Sequence, residues 1–233
     1  MRYHRAGEGP PIVLVHGLGV SADYWYRNGP PLAAAGFRVL APDLPGFGRT
    51  EGPPGGLPVR SQAAALLAWA RALELGPAVY VGHSLSCQTV LELATATPEA
   101  VRGLVLASPT GAPHGHRLLR QGWGFLRDVP REDPRLVPVV AQAYLRAGPL
   151  RVFRTWRQGA EHDPLPLLPC VRVPARVVVG ARDPVVSPEF AEALARGLPG
   201  EGRVVWIEGV AHAVHFSGAE AFNRAVLEFA AGL

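Results

Sequence analysis

The sequence predicts an α/β protein built on a mostly parallel sheet with helices on both faces. Short β-branched runs alternate with longer Ala/Leu-rich stretches along the chain. The short runs are near-continuously apolar rather than alternating, as strands covered on both sides are. At 233 residues the chain can bury a substantial core, so one domain carrying an insertion is expected rather than two independent domains.

The elements follow in order. Residues 2–5 read as an edge strand, and 12–15 and 37–41 as the first two apolar strands. Residues 59–74 have helical character and lead into a strand over 78–81. A helix over 85–97 and a strand over 103–107 come next. After the insertion come a strand over 175–179, a helix over 188–196, a strand at Val204–Ile207 and a closing helix at Ala219–Ala231. Pro188 suits a first helical turn, and Ser187 before it suits an N-cap. Residues 112–170 break this rhythm, with no convincing strand and many prolines. Their helical pieces carry Trp123, Phe125, Tyr144, Phe153 and Trp156, residue types that wall an apolar pocket. The expected organisation is therefore a core of residues 1–111 and 171–233 with a helical cap over 112–170; the plainer alternative is an ordinary helical layer.

Composition removes several classes of function. Hydrophobic residues make up 48%, but no run approaches the ~20 apolar residues of a membrane span, so no membrane partner is expected. The N-terminus lacks the apolar centre of a signal peptide, which points to a cytoplasmic protein. The net charge of +4 comes from arginine alone, since the chain has no lysine. These arginines are scattered, so no nucleic-acid partner is expected. Cys87 and Cys170 share no metal-ligand spacing and read as two buried thiols. There is no HExxH helix or paired-cysteine motif, and a GxxxxGK loop is ruled out without lysine. No metal and no cofactor are expected.

In open parallel sheets, ligands bind beyond the carboxyl ends of the strands. Those ends carry His16-Gly17-Leu18-Gly19, Asp43-Leu44-Pro45-Gly46-Phe47-Gly48, Gly82-His83-Ser84-Leu85-Ser86, Gly180-Ala181-Arg182-Asp183 and Gly209-Val210-Ala211-His212. A strand that breaks into a helix across Ser84 has the form of a nucleophile elbow, and an aspartate and a histidine follow at later strand ends. With these five motifs in this order, the chain resembles the α/β-hydrolase superfamily along nearly its whole length, specifically its small capped esterase and carbon–carbon-bond hydrolase branch.

The resemblance implies an α/β-hydrolase fold, with Ser84 as nucleophile, His212 as its base and Asp183 as the carboxylate that orients the imidazole. It also implies that the backbone N–H groups of Leu18 and Leu85 form the oxyanion hole. Ser86 and Ala211 stand where the family usually has glycine; both are small, and neither change removes a reacting atom. His215, three residues beyond His212, is the alternative base. His16, His83 and Asp43 read as structural supports of their turns. His114 and His116 could line a pocket mouth or lie in an exposed loop, and His162 and Asp163 fall in the expected cap.

The implied function is hydrolysis of small, largely apolar carboxylic esters through an acyl-enzyme, with the ester and water as the only partners. The alternative with the same residues is carbon–carbon-bond hydrolysis of vinylogous diketone ring-fission products. Family members of that kind usually carry Asn before the nucleophile, so His83 favours esters. A third reading, of another class, is a ligand-binding protein on a hydrolase scaffold with little turnover.

Overall fold

The computed structural model describes residues 1–111, 117–200 and 202–233. In chain order these form β1 (Tyr3–Ala6), β2 (Pro11–Val15), α1 (Gly29–Ala34), β3 (Arg38–Pro42), α2 (Val59–Ala72), β4 (Ala78–His83), α3 (Ser86–Ala96) and β5 (Val101–Ala107). Three helices come next, α4 (Arg117–Asp128), α5 (Leu136–Ala147) and α6 (Pro149–Glu161). The chain then returns to the sheet through β6 (Ala175–Gly180), α7 (Pro188–Gly197), β7 (Val204–Ile207), α8 (Val214–Ser217) and α9 (Ala219–Ala231). Short 3-10 segments at Ala22–Trp25, Pro98–Ala100, Val129–Arg131 and Leu165–Cys170 link several of them.

The seven strands lie in the order β1-β3-β2-β4-β5-β6-β7. Only β1 is antiparallel, with Tyr3 opposite Pro42 and Ala6 opposite Val39. The inner strands alternate between two cores. Val13 and Val15 of β2 and Val177 and Val179 of β6 face α2, α3 and α7, meeting Leu66, Val90 and Leu194. Ile12 and Leu14 of β2 and Val178 of β6 face the other side, against Leu32 of α1 and Phe222, Val226 and Phe229 of α9. Both faces are therefore apolar, which is why the strands show no sequence alternation. The Ser187 hydroxyl accepts from the Phe190 N–H at 3.3 Å and caps α7 just ahead of Pro188.

Three features were not expected, the first being that Cys170, read as a buried thiol, is exposed, while Cys87 is buried. Helix α1 is a six-residue piece that begins Gly29-Pro30-Pro31, too short and proline-rich to show a period. Helix α8 is a single turn directly after His212.

The fold also decides where a ligand can sit. The chain winds from β2 outward to β3, then returns to the other side of β2 with β4, so the order reverses between β2 and β4. The register pairs Val15 with Gly82 there, bringing the turn after β2 beside the turn after β4. Crevices at such a reversal are the binding sites of open α/β sheets.

Candidate functional site

Ser84 sits between β4 and α3 with a φ of 56°, left-handed for a non-glycine residue. Such strain costs about 1–3 kcal/mol and persists only where the surroundings hold it. Gly82 makes the turn feasible, since a Cβ there would come within 2.8 Å of the Ser86 carbonyl oxygen and 2.9 Å of the Cys87 nitrogen. Ser86 adds a tie of its own. Its hydroxyl accepts from the His83 N–H at 2.8 Å and lies 2.7 Å from the Val15 carbonyl oxygen, the acceptor it can donate to at the end of β2. The residue in the usual glycine position thus fastens the β4 turn to the β2 turn.

A chain of two hydrogen bonds leads away from Ser84. The Ser84 hydroxyl donates to His212 Nε2 at 2.9 Å, and His212 Nδ1–H donates to Asp183 Oδ2 at 2.9 Å. The second oxygen of Asp183, Oδ1, accepts from the Val185 and Val186 N–H groups at 2.8 and 3.2 Å. These bonds and the facing His212 outweigh burial and hold the Asp183 carboxyl below its ordinary value. Burial pulls His212 down, but Asp183 and the more distant Asp128 and Glu132 outweigh it and leave the imidazolium above its ordinary value.

His215 is different. It is fully buried, neither ring nitrogen has a hydrogen-bond partner among the described residues, and its ring packs against Tyr24, Trp25 and His83. Burial and the neighbouring histidines push it well below the usual range, and among the described residues no carboxylate bonds either ring nitrogen.

His16, His83 and Asp43 hold turns. His16 Nδ1–H donates to the Gly17 carbonyl and Nε2 accepts from the Leu44 N–H. His83 Nε2–H donates to the His212 carbonyl at 3.0 Å, and burial drives its pKa down to about 3. Asp43 accepts from the Ala22 and Arg49 N–H groups and faces Arg2. His162 Nε2 bonds Glu92 Oε1 on α3 at 2.7 Å, and Asp163 caps the Leu165 N–H. His114 and His116 lie outside the described residues.

A cavity of about 370 Å³ opens over Ser84 and His212. Its floor includes Gly17 and Leu18, and its walls include Val20, Tyr24, Phe125, Leu136, Val140 and Tyr144. Of the five aromatics expected to line a pocket, only Phe125 and Tyr144 do so. Trp123 and Phe153 are exposed, and Trp156 instead donates its indole N–H to Gln121 at 2.9 Å. The reason is helix phase: Phe125, Gly124 and Asp128 form the inward face of α4, and Trp123 lies on the opposite face. The Leu18 and Leu85 N–H groups, one in each turn beside Ser84, donate no hydrogen bond among the described residues.

Two carboxylates line the cavity that the sequence reading did not single out. Asp128 accepts from the His212 backbone N–H at 3.1 Å, while Glu132 accepts from the Ala213 N–H and the Ser217 hydroxyl, each at 2.6 Å. Burial, reinforced by Glu132 and Asp183, raises Asp128 to about 7. The one sequence signal for this pair is its spacing of four residues at the end of a helix. Among the described residues no arginine side chain lines the cavity. Among the described residues no group of three His, Cys, Asp or Glu side chains could hold a metal ion, and no helix is long and apolar enough to cross a membrane.

The chain is 25% identical over 249 aligned positions, covering 96% of it and 91% of the relative, to the (E)-2-((N-methylformamido)methylene)succinate hydrolase of Acinetobacter baylyi. It is 37% identical over 134 residues, 54% of the chain and 48% of the relative, to the 2-hydroxy-6-oxo-2,4-heptadienoate hydrolase of Pseudomonas putida. For two further curated relatives the matched stretch spans 42% and 34% of their length. Among solved structures, a thermophilic esterase from Thermogutta terrifontis superposes with a TM-score of 0.86 at 25% identity, covering 99% of this chain and 93% of that one. Residues 10–144, more than half the chain, match the family described as alpha/beta hydrolase fold, and the protein belongs to that family.

Proposed function

We propose that the protein is a serine hydrolase of small, largely apolar carboxylic esters, with residues 112–170 acting as its cap. The observation that carries this is the Ser84–His212–Asp183 hydrogen-bond chain opening onto the cavity floor. Ser84 Oγ attacks the ester carbonyl while its proton passes to His212 Nε2. The oxyanion is held by the free N–H groups of Leu18 and Leu85, each typically worth ~10²–10³ in turnover. His212 then returns the proton to the leaving alcohol oxygen, leaving an acyl-Ser84. A water that gives its proton to His212 attacks this acyl group, and collapse of the second intermediate restores the Ser84 hydroxyl and releases the acid.

Charge favours an ester over a ring-fission product. The Pseudomonas relative is named for a dienoate, a carboxylate. In this cavity a carboxylate would meet Asp128 and Glu132, with no arginine among the described residues to pair with. The test is hydrolysis of p-nitrophenyl acetate and butyrate by the wild type and by Ser84→Ala. Loss of activity in the variant supports the reading, and retained activity overturns it. Bleaching of yellow ring-fission products at a rate above that on esters would favour carbon–carbon cleavage instead.

A further inference from the structure

Helix α4 is amphipathic in the wrong direction for a helix that only covers a core. Its inward face is Gln121, Gly124, Phe125 and Asp128, and the opposite face carries Leu119, Trp123 and Leu126 at 74%, 64% and 68% exposure. Leu150 and Phe153 are likewise exposed on α6. The two helices are neighbours: Trp156 of α6 bonds Gln121 of α4, and its ring edge lies 3.1 Å from where a Cβ on Gly122 would stand. Large apolar side chains left in water in this number mark a contact surface.

Three observations say what covers it. First, the surface is basic. Residues 117–170 hold nine arginines against five carboxylates, and three of those carboxylates are turned inward: Asp128 and Glu132 to the His212 loop, and Asp133 to Arg27. Arg120 and Arg127 flank the apolar stripe of α4, and Arg154 lies beside Phe153 on α6. These three are exposed and take part in no ion pair among the described residues. Second, the surface is continuous with the cavity. Val129, Val137 and Tyr144 are exposed to solvent and also line the cavity over Ser84. Third, a symmetric pairing of two copies through this face would bring like-charged arginines together, which the unpaired charges disfavour.

We propose that the outer face of α4 and α6 docks on an anionic lipid bilayer, with Leu119, Trp123 and Leu126 entering the headgroup boundary and the arginines meeting lipid phosphates. Helices with Trp, Phe and Leu on one side and arginines at its border bind such interfaces in plane, without spanning them. This contact differs from the spanning segment that the sequence lacks. It presents the mouth of the cavity to the bilayer, so an apolar ester dissolved there could enter without crossing bulk water. The docking itself does not depend on the ester reading.

The test is co-sedimentation with phosphatidylcholine vesicles and with vesicles containing a quarter phosphatidylglycerol, at low salt and at roughly 0.5 M salt, where screening shortens to a few ångströms. Three further proteins are compared: Trp123→Ser/Leu126→Ser, Arg120→Gln/Arg127→Gln and Ser84→Ala. Binding is expected on phosphatidylglycerol vesicles at low salt, weak on pure phosphatidylcholine, and reduced by salt. The arginine pair should cost about 25-fold, about fivefold per charge. The serine pair should cost at least about tenfold, with an unchanged melting curve because both side chains face solvent. Ser84→Ala should bind as the wild type does, so docking is read separately from hydrolysis. The proposal is overturned by absence of binding to phosphatidylglycerol vesicles, or by equal binding of the serine pair. It is also overturned if the protein forms a dimer that the serine pair dissociates and that does not bind vesicles, since a second copy would then cover the face.

Discussion

Replacing Asp128 by asparagine separates charge from geometry at the point where α4 meets the His212 loop. Asparagine Oδ1 can still accept the His212 N–H bond, so only the ionisable group is lost. In the folded protein Asp128 titrates near 7, up from its ordinary 3.8. The folded state therefore keeps a proton that the unfolded chain gives up. The resulting penalty is absent below about pH 4, grows between 4 and 7, and is constant above. Its ceiling is ~4 kcal/mol; partial contact with solvent in the cavity reduces this to about 1–2 kcal/mol. For a chain of this size that corresponds to roughly 2–8 °C in melting temperature. Asp128→Asn should thus melt above the wild type at pH 8 and level with it at pH 4. Its kcat/KM profile should also change. The wild-type ascending limb should report His212 losing its proton, with a midpoint above the ordinary histidine value of 6.5. Removing a carboxylate that supports the imidazolium should move that midpoint to lower pH. Scanning calorimetry and a pH–rate profile on p-nitrophenyl butyrate measure both. A melting difference that does not vary with pH, together with an unmoved limb, would refute the reasoning.

Three other outcomes are expected. Asp183→Asn should keep the fold near neutral pH and lower kcat by ~10⁴, because the amide no longer selects the Nδ1–H tautomer; a loss below tenfold would argue against the assignment. Ser86→Ala removes the tie between the β4 turn and Val15, and should cost about 1–2 kcal/mol, or roughly 2–8 °C, together with a fall in kcat, while an unchanged melting curve would make that hydroxyl dispensable. Phe125→Ala should raise KM for p-nitrophenyl butyrate several-fold while Trp123→Ala leaves it unchanged, and the reverse pattern would place the wrong face of α4 over the cavity.

What could be read in the sequence follows from which features are local. Strands buried on both faces are apolar at every position, so Ile12–Val15 stands out without any tertiary information. The Ser187–Pro188 pair marks the start of α7 for the same reason: capping acts within one turn. Ser84, Asp183 and His212 could be nominated because each follows a strand, and parallel strands bring their carboxyl ends to one edge. The cavity wall was not legible. Trp123 and Phe125 are two residues apart on one helix, and which of them faces inward depends on how α4 is rotated against the core, which composition does not encode. Tyr24 sits in a single 3-10 turn with no periodicity, so nothing in its neighbourhood points to the cavity. Asp128 and Glu132 bond backbone groups of the His212 loop more than 80 residues away, a pairing invisible before folding.

The central claim is that Ser84 is a nucleophile activated by His212, and covalent labelling tests it most directly. Incubation with a fluorophosphonate, followed by intact mass and peptide analysis, should show one phosphonyl group per chain, on the peptide containing Ser84. Ser84→Ala should take up none, and His212→Ala should label far more slowly. Equal labelling of Ser84→Ala, or an adduct at another residue, would contradict the account.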